Sequence, residues 1–133
     1  MEKIGFKELY KIAKSKINPR KISSLIEAGE VSAAILTESG NVYTGVCIDT
    51  ACSLGMCAER NAIANMITNG ESKITRLVCC IEGKIGIPCG ACREYLMQLD
   101  KDSGEIEILI NPETMETKKL KDFIPMWWGK EYL

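Results

Sequence analysis

Residues 56–62 read Met56-Cys57-Ala58-Glu59-Arg60-Asn61-Ala62, with a thiol and a carboxylate two residues apart where a loop is expected to enter a helix. A second cysteine cluster follows at Pro88-Cys89-Gly90-Ala91-Cys92-Arg93-Glu94. Together Cys57, Cys89 and Cys92 offer three sulfur ligands, and a zinc ion held by three protein ligands keeps its fourth position for water. The two stretches therefore predict a catalytic zinc site, with Glu59 as the acid that moves protons for that water.

Length and charge limit the class of protein. The 133 residues are expected to form one domain over residues 1–133. Because 17 basic and 18 acidic side chains nearly cancel, we expect neither nucleic acid nor a membrane as partner. No apolar run approaches the roughly 20 residues that cross a bilayer, and the start, residues 1–7, has no signal-peptide core. We therefore expect a cytoplasmic protein that acts on a small molecule.

The cysteine and histidine contents narrow the chemistry. Seven cysteines without a secretory segment are expected to be free thiols, metal ligands or redox groups. The chain contains no histidine, the commonest general base and zinc ligand. A Ser-His-Asp triad is therefore excluded, and a catalytic site must use cysteine, acidic, lysine or tyrosine side chains.

Hydrophobic periodicity predicts an α/β fold. Helical spacing of apolar residues predicts helices over 6–17 and from 58 to about 67, a third helix from Cys89, and short helical turns over 22–28 and 120–125. Apolar runs predict strands at 31–37, 42–49, 74–82 and 106–111, with an edge strand at 115–119. The first two strands form a hairpin, and the single helices between the others favour two parallel crossovers.

Both cysteine clusters are expected at helix N-termini, where unpaired backbone N–H groups stabilise thiolates. Crossovers from one sheet bring the two helix starts together at the carboxyl ends of the strands. Three thiolates on one dication leave a negative centre, which opposes loss of a proton from the bound water. We therefore expect Arg60 to donate to the sulfurs and Glu94 to hold that guanidinium in turn.

Other interpretations of the cysteines remain open. Residues 89–92 also have the spacing of a redox dithiol. Cys52 lies in the loop before Cys57 and could close the metal site as a fourth protein ligand, which is the arrangement of a structural zinc. Cys79 and Cys80 fall within a predicted strand, where small buried hydrophobic residues are expected.

At the two cysteine motifs the sequence resembles the cytidine deaminase family, which includes nucleoside and blasticidin S deaminase branches. Residues 57–60 and 88–93 match the all-cysteine variant of its zinc motifs, which is found in small homotetrameric members. Similar segments at 31–36, 42–45 and 122–125 extend the resemblance over nearly the whole chain. The resemblance implies an α/β domain with a mixed five-stranded sheet flanked by helices in three α/β/α layers, one zinc ion per subunit and a homotetramer.

The resemblance also implies a reaction: hydrolysis of a cytidine-type aminopyrimidine nucleoside to the uridine-type product and ammonia, as in pyrimidine salvage. Glu59 would take a proton from the attacking water, protonate ring N3 and deliver a proton to the departing ammonia. Backbone groups near Ala58 and Pro88 would face the edge of the pyrimidine.

Departures from the family pattern concern the substrate. Gly29 stands where an aromatic residue is usual, and Cys47-Ile48-Asp49 replaces a sugar-binding Asn-x-Glu. Asp49 can still accept from a ribose hydroxyl, whereas Cys47 is a weak partner. The pair Trp127-Trp128 is similar to the aromatic tail of blasticidin S deaminase, and it either stacks on a base across a subunit boundary or anchors an interface. Blasticidin S or a modified-cytosine nucleoside is the alternative substrate, and a non-catalytic zinc or ligand-binding protein is the alternative of another class.

Overall fold

A computed structural model describes residues 3–133, so Met1 and Glu2 of the charged start lie outside the described residues. The helices are α1 (Phe6–Ser15), α2 (Ala58–Thr68) and α3 (Gly90–Met97). The strands are β1 (Arg20–Lys21), β2 (Glu27–Thr37), β3 (Val42–Asp49), β4 (Ile74–Ile81), β5 (Lys84–Gly86), β6 (Glu107–Asn111) and β7 (Glu116–Lys119). Within the described chain, no helix combines the length and apolar character needed to span a membrane.

The sheet separates two layers of helices, because alternate residues of a strand face opposite sides. In β2, Ala33 and Ile35 pack in one core with residues of α2 and α3. The intervening Ala34 and Leu36 pack in a second core with α1. The predicted three-layer α/β/α architecture is therefore confirmed.

Across residues 3–133 the sheet contains seven strands instead of the predicted five. The two additional strands, β1 and β5, are two and three residues long, too short for a hydrophobic period to reveal them. The longer strands form a mixed sheet in the order β3-β2-β4-β6-β7, in which only β4 and β6 pair in parallel. Because β3 and β4 both run antiparallel to β2, the first predicted crossover passes over β2, while the second joins the neighbours β4 and β6.

The segment over 22–28 is not helical: residues 22–25 form bends, and its last two residues, Glu27 and Ala28, begin the long strand β2. Gly29 lies inside this strand at a φ of 91°, and its carbonyl accepts from the backbone N–H of Asn18 at 2.9 Å. A Cβ atom at position 29 would lie 2.0 Å from the carbonyl oxygen of Asn18. Only glycine fits this close approach, so an aromatic side chain at this position is sterically excluded.

Helix α2 lies directly on strand β3. A Cβ atom at Gly45 would lie 2.4 Å from the backbone nitrogen of Ala62 and 2.6 Å from the carbonyl oxygen of Ala58. Asn61 also donates from Nδ2 to the carbonyl of Val46 at 3.1 Å. These contacts fix the start of α2, and with it residues 57–60, relative to the sheet.

Candidate metal centre

Three cysteine sulfurs converge where α2 and α3 begin. Cys57 is the N-cap residue of α2, Cys89 is the N-cap residue of α3, and Cys92 lies in the first turn of α3. Their Sγ atoms all lie within 4.8 Å of one another, with 3.7 Å between Cys57 and Cys89 and 3.6 Å between Cys89 and Cys92. Tetrahedral ligands at the Zn–S distance of about 2.3 Å stand about 3.8 Å apart. The spacing of the sulfurs therefore fits a zinc ion.

The surroundings of the sulfurs act in opposite directions on two of the thiols. Burial raises the pKa of Cys89, but hydrogen bonds from the backbone and side chain of Cys92 and from neighbouring groups lower it, and the net pKa lies below its ordinary value. Burial raises the pKa of Cys92, and the negative charge of Glu59 raises it further. A dication between the sulfurs would lower the pKa of every one of these thiols, so that all three could bind as thiolates.

Arg60 lies beside the cluster, as the sequence predicted. Its Nη2 atom is 3.7 Å from the Sγ of Cys57, and the hydrogen bond to Cys57 raises the pKa of the guanidinium. Its Nε atom is buried and has no hydrogen-bond partner among residues 3–133. The guanidinium is therefore placed to offset part of the negative charge that thiolate ligands would carry.

Glu94 does not hold this guanidinium, so the predicted pairing of Glu94 with Arg60 is wrong. Its carboxylate accepts from the indole Nε1 of Trp127 at 3.0 Å, from the indole Nε1 of Trp128 at 2.8 Å and from Gln98. Glu94 follows Cys92 by two residues, and helical residues at that spacing point to opposite sides. The carboxylate is therefore turned away from the sulfurs.

A cavity of about 540 Å³ opens beside the sulfurs, and Cys57, Cys89, Ala58 and Glu59 line it. Glu59 is only 5% exposed. Its carboxylate makes no hydrogen bond to another residue of the described chain. Cavities of this size hold small organic ligands, so a bound ring can contact the acid and the sulfur cluster at once.

The cavity brings together part of the predicted substrate-binding set. Cys47 and Asp49 line it together with Ala58. The backbone N–H of Val31 donates to the Sγ of Cys47 at 3.3 Å, so this sulfur is engaged within the sheet. Pro88 is buried and is not a lining residue; its carbonyl accepts from Nε of Arg93 at 2.7 Å.

Trp127 and Trp128 do not line this cavity. They are therefore not placed to stack on a base that is bound in the cavity of the same chain. Trp127 lines a different depression, together with residues of the C-terminal segment. Trp128 is 64% exposed, and its ring lies 5.7 Å from that of Trp127 and 5.8 Å from that of Tyr132, measured between centroids. The interface role that the sequence also suggested stays a prediction.

The remaining cysteines do not join the cluster. Cys52 is exposed, and within the described chain the sulfur group consists of Cys57, Cys89 and Cys92. Closure of the site by Cys52 is therefore not supported. Cys79 lies in the predicted core at 2% exposure, and burial raises its pKa well above the ordinary value, so it stays a neutral thiol in the wall of the cavity.

Glu30, Thr50 and Ser53 line the cavity although the sequence did not suggest them. Glu30 lies where the pairing of β2 with β3 shifts register between residues 28 and 32. Ser53 belongs to a loop closed by the bridge between Ile48 and Met56. A register shift and a loop closure depend on tertiary contacts, so no local sequence pattern could have placed these residues at the site.

Known proteins match both the sequence and the fold. Residues 8–104 match the zinc-binding region of the cytidine and deoxycytidylate deaminases. The chain belongs to the cytidine and deoxycytidylate deaminase family. The matched region contains all three cysteines of the cluster, so zinc is the metal that this family membership assigns to the site.

Individual members of the family are similar over most of their length. The chain is 31% identical over 106 residues to a cytidine deaminase of Sporosarcina psychrophila, covering 77% of each chain. It is 30% identical over 105 residues to the Mycobacterium tuberculosis cytidine deaminase, covering 77% of this chain and 75% of the relative. The crystal structure of a cytidine deaminase from M. tuberculosis has a TM-score of 0.78 at 26% identity, over 95% of this chain and 98% of that one.

Proposed function

We propose that this protein is a zinc-dependent hydrolytic deaminase that converts a cytidine-type aminopyrimidine nucleoside to the uridine-type product and ammonia. The observation that carries the proposal is the buried Glu59, without a hydrogen-bond partner in the described chain, in one cavity with sulfurs spaced for zinc. Membership of the deaminase family supports the class of reaction. Cys57, Cys89 and Cys92 would hold the zinc ion, which would supply the chemistry of activating a water at neutral pH.

Glu59 performs the proton transfers in this proposal. Its carboxylate accepts one proton from the attacking water and passes it to ring N3, which makes C4 more electrophilic. As the C4–O bond forms and the C4–N bond later breaks, Glu59 carries the second water proton to the amino nitrogen. One water is consumed, and the products are ammonia and a ring with a C4 carbonyl and a proton on N3.

The surrounding residues orient the pyrimidine ring and offset the negative charge of the cysteine thiolates. Ala58 lies in the first turn of α2, where backbone N–H groups have no helical acceptor, and we assign it a contact with the pyrimidine edge. Arg60 donates to Cys57 and offsets thiolate charge. Asp49 would accept from a sugar hydroxyl, while Cys47 is already bonded to the backbone of Val31.

Replacing Glu59 with Gln tests the proposed proton transfer. Zinc content should remain near one ion per chain, while ammonia release should fall by about 10²- to 10⁴-fold, the usual contribution of a general acid–base group. A matched control is Glu8→Gln, which removes an exposed acid from α1 on the opposite face of the sheet. Zinc-loaded Glu59→Gln protein that keeps its turnover would contradict the role of Glu59.

A substrate panel tests the reaction itself. Ultraviolet spectra of cytidine, deoxycytidine and blasticidin S should change on incubation with the zinc-loaded protein if the corresponding base is deaminated. Turnover of blasticidin S or a modified-cytosine nucleoside alone would favour the alternative substrate. Zinc-loaded protein that changes none of these spectra would favour the non-catalytic alternative.

We also propose that the protein forms a homotetramer and acts in cytoplasmic pyrimidine salvage. Exposed apolar side chains near the C-terminus support self-association: Met126, Trp128, Tyr132 and Leu133 are all more than half exposed. The seven cysteines lack disulfide partners within residues 3–133, which suits a reducing compartment. Sedimentation equilibrium of the parent and of Trp128→Ser tests the assembly, and a monomeric parent would contradict it.

A further inference from the structure

We propose that Glu30 is a specificity-determining residue. Its charge makes the affinity of the cavity depend on the charge of the substituent attached to the pyrimidine ring of the substrate. A positively charged substituent is favoured, a neutral one is accepted and a phosphate is disfavoured. This inference rests on the proposed function. The name of the family includes both cytidine, a nucleoside, and deoxycytidylate, a nucleotide. The two molecules differ in the negative charge of the phosphate group.

The charges that line the cavity are predominantly negative. Three acids line it, Glu30, Asp49 and Glu59, and Arg60 is the only basic residue among its lining residues in the described chain. Arg60 is engaged with the Sγ of Cys57. Three thiolates around a dication would add one further negative charge. A phosphate in the cavity would therefore have no free basic side chain among the described lining residues to pair with.

Glu30 itself carries an uncompensated charge. The residue is exposed and forms no salt bridge or side-chain hydrogen bond with another residue among 3–133. It lies where β2 departs from regular pairing with β3, which leaves its side chain at the cavity instead of in a paired ladder. Arg60, the basic residue that lines the cavity, is engaged with Cys57 and forms no salt bridge with Glu30, so the charge of Glu30 acts on a ligand in the cavity.

At low ionic strength the field of Glu30 extends across the cavity, because the Debye length reaches about 30 Å at 0.01 M salt. A sphere of the observed volume of about 540 Å³ is roughly 10 Å across, comparable with the Debye length of about 8 Å at physiological salt. A substituent on a ring bound beside Glu59 thus stays within range of the carboxylates of Glu30 and Asp49. Charge at the substituent should therefore change the affinity, and high salt should reduce the effect.

Three substrates that differ in 5′ charge provide the test: 5′-amino-5′-deoxycytidine, cytidine and cytidine 5′-monophosphate. For the parent, kcat/KM should fall in that order at low salt, and about 0.5 M NaCl should compress the differences. Glu30→Gln should reduce the ratio of the amine to the phosphate roughly tenfold, because the two substituents differ by about three charges, each of which interacts with Glu30. Glu30→Lys should reduce it further. A matched control is Glu38→Gln, which removes an acid at the far end of β2, roughly 26 Å away.

Two outcomes would overturn the inference: a parent that does not discriminate by charge, or Glu30 variants with the same ratio as the parent. If the parent turns over none of the three compounds, the proposed function has failed separately. Calorimetric binding of the same compounds to zinc-loaded protein then tests the inference without turnover. The same order of affinity is expected there, and equal affinities would overturn it.

Discussion

The two ends of helix α2 each have a glutamate, and the surroundings of the two carboxylates differ sharply. Glu59, at the start, is 5% exposed and has no hydrogen-bond partner in the described chain. Glu71, just beyond the end, accepts from Tyr43 Oη at 2.6 Å and from Asn41 Nδ2 at 2.9 Å. Glu59 instead lines the cavity beside the sulfur cluster, free of donors from residues 3–133 that would occupy its carboxylate, and this position indicates function. The satisfied acid beyond the end instead ties the β2–β3 hairpin to the α2–β4 loop.

Replacing Cys89 with Ser should give the largest effect, because it removes a sulfur ligand at the functional end of α2. Zinc affinity should fall by more than about a hundredfold, and ammonia release should be lost with it. Metal analysis and an ammonia assay measure both. Cys52→Ser, which removes an exposed thiol outside the cluster, is the control. Equal zinc content in the two variants would contradict the assigned ligand.

Gly45→Ala tests whether the position of α2 depends on backbone contact with β3. The new Cβ atom would lie 2.4 Å and 2.6 Å from backbone atoms of the helix, so α2 must move. The free energy of unfolding should fall by at least about 2 kcal/mol, and turnover should fall because Glu59 moves with α2. Gly5→Ala, where no heavy atom lies within 4 Å of the added Cβ, should lower the urea midpoint much less, because it only weakens the N-cap of α1, by about 1 kcal/mol. A fully active and stable Gly45→Ala protein would refute the tight contact.

Glu71→Gln should lower stability without reducing turnover. Hydrogen bonds from Tyr43 first, and then from Asn41, lower the pKa of Glu71 from 4.5 to about 2. A lowered folded-state pKa contributes stability above pH 4.5, and this contribution is lost as the pH falls towards 2. Urea midpoints of parent and variant should therefore differ at about pH 6 and converge near about pH 2.5. A pH-independent difference would contradict this assignment.

Glu94→Gln should give the smallest effect at the metal centre. The carboxylate binds the two tryptophans and faces away from the sulfurs, so zinc content should not change and turnover should change by less than about twofold. Tryptophan fluorescence should respond, because both indole N–H groups lose a charged acceptor. Loss of zinc in this variant would restore the pairing with Arg60 that the sequence suggested.

Local patterns in the sequence predicted most of the elements. Strand β3 over 42–49 and the start of β4 at Ile74 lie where the apolar runs placed them. The helix starts at Cys57 and Cys89 were also predicted, because apolar spacing and a cysteine at the loop–helix boundary are local features. The strand entry near Gly29 was mistaken for a helix, since the contact that requires it comes from Asn18, eleven residues earlier.

The amino-acid sequence by itself determined which side chains can bind the metal and transfer protons. Three cysteines at two helix starts and the acid two residues after Cys57 are fixed by spacing along the chain. Tertiary structure alone decided which side chains share the cavity. It turned Glu94 towards the tryptophans, engaged Cys47 with Val31 and placed Glu30 beside the site. The physical reason is that spacing defines a helix face, whereas the partners of that face depend on register, bulges and loop closure between distant segments.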